Sequence, residues 1–307
     1  MLPIIPVLLL ALEIVLCATV GFRLFGEPAM RRLGELSICI MLGLLFVRLA
    51  AVFTSYWFAH RHNDQSSPVI DASTNRRQAP GEWISTLWRE YLATLAASSF
   101  LIPLRAFFGP RLAKNIPAQS TIVPLVHGLM SNSGVWWYFA RGLQKQHPFQ
   151  VDSLDLGAPF RSLDDYVLKL DQRLRELALH SPARIVLVSH SMGGLVCRGW
   201  LAKHPSERVD QLITLGTPHQ GSLTAHWLAA RNLVQMRPRS TWLEALPTET
   251  NVSTRCFYSI HDNLVVPYSH GKMLAPCNEQ FRSLGHLSLL FHDGLRARIG
   301  DLIAGKQ

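Results

Sequence analysis

The sequence of 307 residues predicts an α/β fold: a mostly parallel, doubly wound sheet preceded by an N-terminal transmembrane helical hairpin. Three observations carry this reading. Strand-like and helix-like segments alternate after residue 118, as a parallel sheet with crossover helices requires. The apolar run Ile185 to Val188 ends abruptly in Ser189-His190-Ser191-Met192-Gly193-Gly194, a strand that feeds a sharp turn. Two long apolar runs fill the first 60 residues.

Those two runs, Met1 to Phe22 and Leu36 to Ala59, are each near the roughly 20 residues that cross a bilayer. A cleaved signal peptide fits less well, because no basic stretch precedes the first run and a second follows at once. Each run carries one charge, Glu13 and Arg48, at similar depth in an antiparallel hairpin joined by residues 23 to 34. Charges in lipid are costly unless paired, so an ion pair between them is expected. Arg23, Arg31 and Arg32 in the connection favour a cytoplasmic loop. Arg61, Arg76 and Arg77 after the second run act against that orientation. The balance puts the remaining chain on the periplasmic side of a bacterial inner membrane.

Residues 62 to 80 read as a polar linker. The stretch Tyr91 to Phe108 contains Pro103 and Arg105 and reads as an interfacial helix. The organisation expected is therefore a hairpin over 1–60, linker and interfacial helix over 61–117, and a catalytic domain over 118–307. The last has about 190 residues, ample for one core.

Within that domain, Ser120 to Val126 reads as a strand interrupted by Pro124 and leading into His127-Gly128-Leu129. Phe149 to Leu156 forms the next. Ser162 caps a helix with Asp165 three residues on, in the manner of a capping box. Leu163, Val167, Leu170, Leu174 and Leu177 give that helix one apolar face. Val209 to Leu215, Arg255 to Ile260 and Gln280 to Leu284 are further strands, and an apolar helix begins near Leu289. Residues 221–247 interleave Trp227, Leu228, Leu233, Trp242 and Leu243 with arginines. They read as a lid-like insertion or as ordinary helix faces packed on the sheet.

Ser191 is the candidate nucleophile. A strained strand-to-helix turn needs small residues two before and two after it, here Ser189 and Gly193, and it aims the Met192 N–H at a developing oxyanion. A serine nucleophile needs an imidazole to take its proton and a carboxylate to fix the imidazole tautomer. Asp262, after the strand ending at Ile260, is the candidate acid, and His286, after the last strand, the candidate base. His261 precedes the acid and is set aside, as is His292 as a surface residue. Leu129 N–H is the candidate second oxyanion donor, with glycine before it permitting close approach. His127, Gly128, Trp227 and Trp242 are candidate substrate-binding residues. Trp136, Trp137, Tyr138 and Phe139 read mainly as core.

The runs VHGLMSNSGVWW, SHSMGG, TLGTPHQGS, HDNLVVP and GHLSLLF together resemble bacterial lipases and esterases of the α/β-hydrolase fold, over roughly residues 118 to 307. The resemblance implies Ser191, Asp262 and His286 as triad and Leu129 and Met192 as oxyanion hole. It departs at Ser189, where many members carry glycine.

Five cysteines form no evident disulfide framework or metal set, although Cys256 and Cys277 flank the acid-bearing turn and could pair in an oxidising compartment. The net charge of +9 suits anionic lipid head groups better than nucleic acid, since no basic stripe with interleaved aromatics is present. No cofactor is expected. The expected activity is hydrolysis of carboxylic esters, lipid acyl esters at a bilayer above all. An acyltransferase would use the same triad, and a catalytically silent scaffold would lack its function. Oligomeric state is left open by the sequence.

Overall fold

A computed structural model describes residues 28–63, 80–110, 112, 120–180, 182–204, 208–273 and 278–306. Six strands form one parallel sheet in the order β2-β1-β3-β4-β5-β6. They are β1 Thr121–Val126, β2 Gln150–Leu154, β3 Arg184–His190, β4 Val209–Leu215, β5 Ser253–Ser259 and β6 Asn278–Phe281. Both faces of such a sheet are covered, so its central strands β1 and β3 read as nearly unbroken apolar runs. Ile185 to Val188 is almost fully buried for this reason. β1 runs straight through Pro124, which pairs in register with Asp152 of β2.

The N-terminal helices are α1 Pro28–His62 and α2 Pro80–Ala96, followed by a π-helical turn over Ala97–Leu101 and the short α3 Arg105–Phe108. Around the sheet lie α4 Trp137–Gln146, α5 Leu163–His180, α6 Met192–Lys203, the short α7 Arg231–Gln235 and α8 Thr241–Glu244, and α9 Asp293–Ile303. On one face, Trp136, Phe139, Leu143, Leu295 and Ile299 pack on Val123, Leu125, Val186, Val188 and Ile213. On the other, Leu163, Leu170, Leu174, Leu195 and Val196 pack on Ile122, Val126, Ile185, Leu187 and Leu212. The strand order reverses between β1 and β3. Open α/β sheets bind ligands in the crevice outside the carboxyl ends at such a point.

Several local expectations change. Ser162 does cap α5, accepting from the Asp164 N–H at 3.2 Å, but the Leu163 N–H is taken by the Gln235 side chain at 2.7 Å. The helix expected from Tyr91 begins eleven residues earlier, at Pro80. Instead of one helix from Leu289, a 3-10 turn over Ser288–Phe291 precedes α9, and His292 caps it by accepting from the Leu295 N–H at 3.0 Å. Residues 28 to 34, read as a connection, are already helical in α1.

Among the described residues, one helix, over Ile38–His62, is long and apolar enough to cross a membrane, with mean hydropathy 2.2. The first apolar run and Glu13 lie outside the described residues. Among those described, α1 pairs antiparallel with α2: the Phe53 and Trp83 rings lie 5.9 Å apart, while the Tyr91 hydroxyl donates to the Leu45 carbonyl at 3.4 Å. Val52, Tyr56 and Leu87 are buried between them.

Candidate active site

Loops that follow β1, β3, β4, β5 and β6 meet at the carboxyl edge of the sheet. Ser191 follows β3 with φ 56° and ψ −130°, a backbone conformation that L residues avoid at a cost of about 1–3 kcal/mol. The surroundings impose it. The Ser191 N–H donates to the Leu215 carbonyl at 2.9 Å, and a Cβ on Gly193 would sit 2.7 Å from the His127 carbonyl oxygen. Glycine there lets α6 start directly beneath the β1 loop. Ser189 is fully buried and donates its hydroxyl to the Ile213 carbonyl at 3.2 Å, so serine is accommodated two residues before Ser191.

Asp262 and His286 form a buried pair, 2 % and 4 % exposed. His286 Nδ1 lies 2.9 Å from Asp262 Oδ2 and 3.0 Å from Oδ1. Asp262 Oδ1 also accepts the Leu264 and Val265 N–H groups at 2.8 Å each, which fixes the carboxylate. Burial disfavours the imidazolium, but the Asp262 carboxylate and then Glu90 outweigh it and hold the His286 pKa above its ordinary value. With Nδ1–H facing Asp262, the Nε2 lone pair is left to take a proton. A Cβ on Gly216 would lie 3.2 Å from both Asp262 Oδ2 and His286 Nδ1, and Gly216 adopts φ +53°. The residue next to Ser191's backbone partner therefore borders the carboxylate–imidazole pair.

The β1 loop closes over the serine. A Cβ on Gly128 would stand 2.7 Å from Ser191 Cβ and 3.2 Å from its Oγ. His127 holds this loop: Nδ1–H donates to the Gly128 carbonyl at 2.8 Å and Nε2 accepts the Leu156 N–H at 3.0 Å. The second bond requires Nε2 to be unprotonated. Burial, and then the Arg105 and Lys169 charges, bring its pKa down to about 4. Asp155 is engaged by Arg105, and its Oδ1 stands 3.7 Å from His127 Nε2. Leu129 and Met192 line one cleft with His127, Gly128 and Tyr166. Met192 opens α6, so its N–H has no partner within the helix.

Trp242 lies elsewhere. Its ring packs on α6 at Gly199, two turns from Ser191, and its Nε1–H donates to Asp164 at 3.1 Å. Met236, Leu233 and Leu243 join the same core, so much of the 221–247 insertion is packed on the sheet layer. Trp227 is half-exposed and meets Phe58 of α1 edge-on at 5.3 Å. Trp136 and Phe139 are core, with Trp136 edge-on to His190 at 6.5 Å.

His261 Nδ1 accepts the Ser283 N–H at 2.8 Å. His219, on the TLGTPHQGS segment, is buried against Thr214 and Cys256 at 3.0 and 3.4 Å. Cys277 lies outside the described residues, and with it the expected pairing.

Sequence reasoning missed the supports of the His286 loop. Asn263 Oδ1 accepts the His286 N–H at 3.0 Å, and its Nδ2–H donates to Ser55 of α1 at 2.8 Å. His190 Nε2–H donates to the His286 carbonyl at 3.0 Å. Glu90 of α2 accepts the Leu287 and Ser288 N–H groups at 2.8 Å each. The available signal was a lone acid beside an apolar stretch.

A family model described as PGAP1-like alpha/beta domain matches residues 157–251. The chain is 29% identical over 112 residues to the pimeloyl-[acyl-carrier protein] methyl ester esterase of Vibrio cholerae serotype O1, covering 36% of this chain and 43% of that protein. It is 28% identical over 141 residues to the lysosomal thioesterase PPT2 of Rattus norvegicus, covering 44% and 46%. The match thus spans less than half the length of these relatives. Among solved structures, Aspergillus fumigatus lipase B aligns with TM-score 0.60 and 16% identity over 95% of this chain and 85% of that one. Bacillus licheniformis lipase BlEst2 in mature form aligns with TM-score 0.53 and 19% identity over 64% and 96%. With the parallel sheet and its helices, these likenesses assign the chain the α/β-hydrolase fold.

Proposed function

We propose that the protein is a membrane-anchored serine hydrolase that cleaves carboxylic esters, lipid acyl esters above all, through an acyl-enzyme. The observation that carries this reading is the buried Asp262–His286 pair beside a serine held at positive φ. Ser191 Oγ attacks the acyl carbonyl carbon while His286 Nε2 takes the hydroxyl proton. The oxyanion of the tetrahedral intermediate accepts from the Leu129 and Met192 N–H groups. Collapse expels the alkoxide, which leaves as alcohol with the proton from His286. Water, deprotonated in turn by His286, then releases the acid and restores Ser191.

The relatives' names cover an oxygen ester and a thioester, and the same attack serves both leaving groups. Lipid as substrate is supported by the apolar surface near the site. Leu42, Phe46, Val47, Phe53 and Trp57 of α1 and Trp83, Ile84, Trp88 and Leu92 of α2 are all exposed. An extended apolar surface of this kind marks a partner or membrane surface. The hydrolase domain is assigned to the periplasmic side. A fluorophosphonate probe is expected to label the wild-type chain and not Ser191→Ala, and labelling of Ser191→Ala at the wild-type rate would overturn the reading. Esters of graded chain length test the lipid assignment, which a preference for short soluble esters would remove. Suppression of acid release by added alcohol acceptors, with transfer product formed, would favour acyl transfer.

A further inference from the structure

The His286 loop has no strand or helix of its own between β6 and the 3-10 turn at Ser288. What holds it comes in large part from the N-terminal helices. Glu90 of α2 is 1 % exposed and sends one oxygen to each of two successive N–H groups, Oε1 to Leu287 and Oε2 to Ser288. These are the two residues immediately after His286. A carboxylate that accepts from two backbone N–H groups is best matched in its ionised form. Its approach depends on Gly285, where a Cβ would run into both the Glu90 carboxylate and the Tyr56 hydroxyl.

We propose that Glu90 is a positioning residue for the candidate base: from outside the catalytic domain's sheet, it fixes the backbone that carries His286 and adds a second negative charge behind the imidazole. The inference rests on His286 acting as the base. Three titratable groups face this imidazole: Asp262 from the β5 loop, Glu90 from α2 and His190 from β3, whose ring lies 4.6 Å away; Tyr56 from α1 stands near Glu90 and Asp262. Asp262 binds Nδ1 and sets the tautomer, whereas Glu90 reaches only the main chain beyond. The two carboxylates therefore have separable effects. Loss of Glu90 leaves the Asp262 bond in place, yet releases the loop and removes one charge that favours the imidazolium. Burial, and with it the Asp262 charge, holds the Glu90 pKa above the ordinary carboxyl value, against the two N–H bonds and His286, which favour the carboxylate.

The test uses the full chain in non-ionic detergent, with an aryl ester as substrate and a fluorophosphonate as probe of Ser191. Glu90→Gln keeps the volume but presents an amide N–H to one of the two donors. Its kcat is expected to fall between about tenfold and a hundredfold with KM little changed, as for a misplaced catalytic group. The acid limb of kcat/KM is expected to move down by about one pH unit, because a charge favouring imidazolium is gone. Probe labelling slows in step. Glu90→Asp keeps the charge and loses reach, so kcat falls while the acid limb stays. This variant carries the test if the amide variant does not fold, and wild-type kcat in Glu90→Asp then overturns the assignment. Wild-type kcat and acid limb in a folded Glu90→Gln also overturn it. A wild-type chain that the probe does not label removes the triad reading and this inference together, whereas normal wild-type labelling with unaffected Glu90 variants removes only the inference.

Discussion

Acidification should unseat the β1 loop through His127, and its burial sets the size of the effect. The folded pKa is brought down to about 4, against an ordinary histidine value of about 6.5 in the unfolded chain. Between those values the unfolded chain binds a proton that the folded chain does not, so stability falls as pH falls. At pH 5 the loss is RT ln[(1 + 10^1.5)/(1 + 10^−1)], about 2 kcal/mol, rising toward about 3 kcal/mol below pH 4. The cause is visible: a protonated Nε2 would point a second N–H at the Leu156 N–H it now accepts from. His286 works with the opposite sign and in another window. Its folded pKa is raised, so its stabilising contribution is complete below about 6.5 and is lost as pH rises through the folded value. His190 and His219, both lowered chiefly by burial, add to the loss in acid.

The assay compares the wild-type chain with His127→Gln, both in non-ionic detergent, by urea unfolding followed through tryptophan fluorescence from pH 7 to 5. The other titrating groups are common to the two proteins, so the difference in unfolding free energy isolates His127. His127→Gln is expected to be the less stable at pH 7, with the gap closing by about 2 kcal/mol at pH 5. A gap that stays constant within about 0.5 kcal/mol over this range would refute the argument that His127 is buried neutral.

Three further variants separate packed from exposed positions. Gly128→Ala puts a methyl group against the Ser191 side chain and the His190 carbonyl, 3.3 Å away; probe labelling should fall about a hundredfold with melting temperature little changed, and unimpaired labelling would show that the loop can yield. Trp242→Ala should lower stability by about 2–3 kcal/mol with kcat/KM nearly kept, since its ring fills the α6 face at Gly199; Trp227→Ala should instead leave stability within about 0.5 kcal/mol and weaken co-sedimentation with anionic vesicles. Equal stability losses in the two would contradict their different burial.

The central strands were legible because buried parallel strands write themselves as apolar runs, and the order Ser191, Asp262, His286 because the chain must visit the carboxyl edge in strand order. The last strand, expected over Gln280 to Leu284, lies at Asn278–Phe281, since an edge strand of sequence NEQF carries no apolar run. Ser189 could be accepted as a substitute for glycine from its size, but its bond to the Ile213 carbonyl could not be foreseen. Trp242 was ambiguous for a reason of physics. A large aromatic between arginines satisfies both a lid and a helix face, and only its contact with Gly199 and Asp164 decides. Glu90, Asn263 and Ser55 were out of reach because their partners are 197, 23 and 208 residues away, and polar bonds to backbone leave no periodic trace.

The α1 helix carries both facts that matter for location. Val52, Ser55, Tyr56, Ala59 and Asn63 recur at three or four residues and form one stripe. That stripe is turned inward: Ser55 accepts from Asn263, and Asn63 accepts from the Tyr268 N–H at 2.9 Å. Phe46, Val47, Phe53 and Trp57 lie off it and are exposed. The pattern inverts that of a helix on a water-soluble domain, which hides its apolar side and shows its polar one. Hydropathy averages over both faces and so registers only the apolar excess, while the few polar atoms go to the acid and base loops. A helix that exposes an apolar outer face and meets Asn263 with its inner one ties that surface and the Asp262 and His286 loops into one packing unit. The α1–α2 pair is then a structural member of the candidate site, held to it through Asn263 on one side and Glu90 on the other.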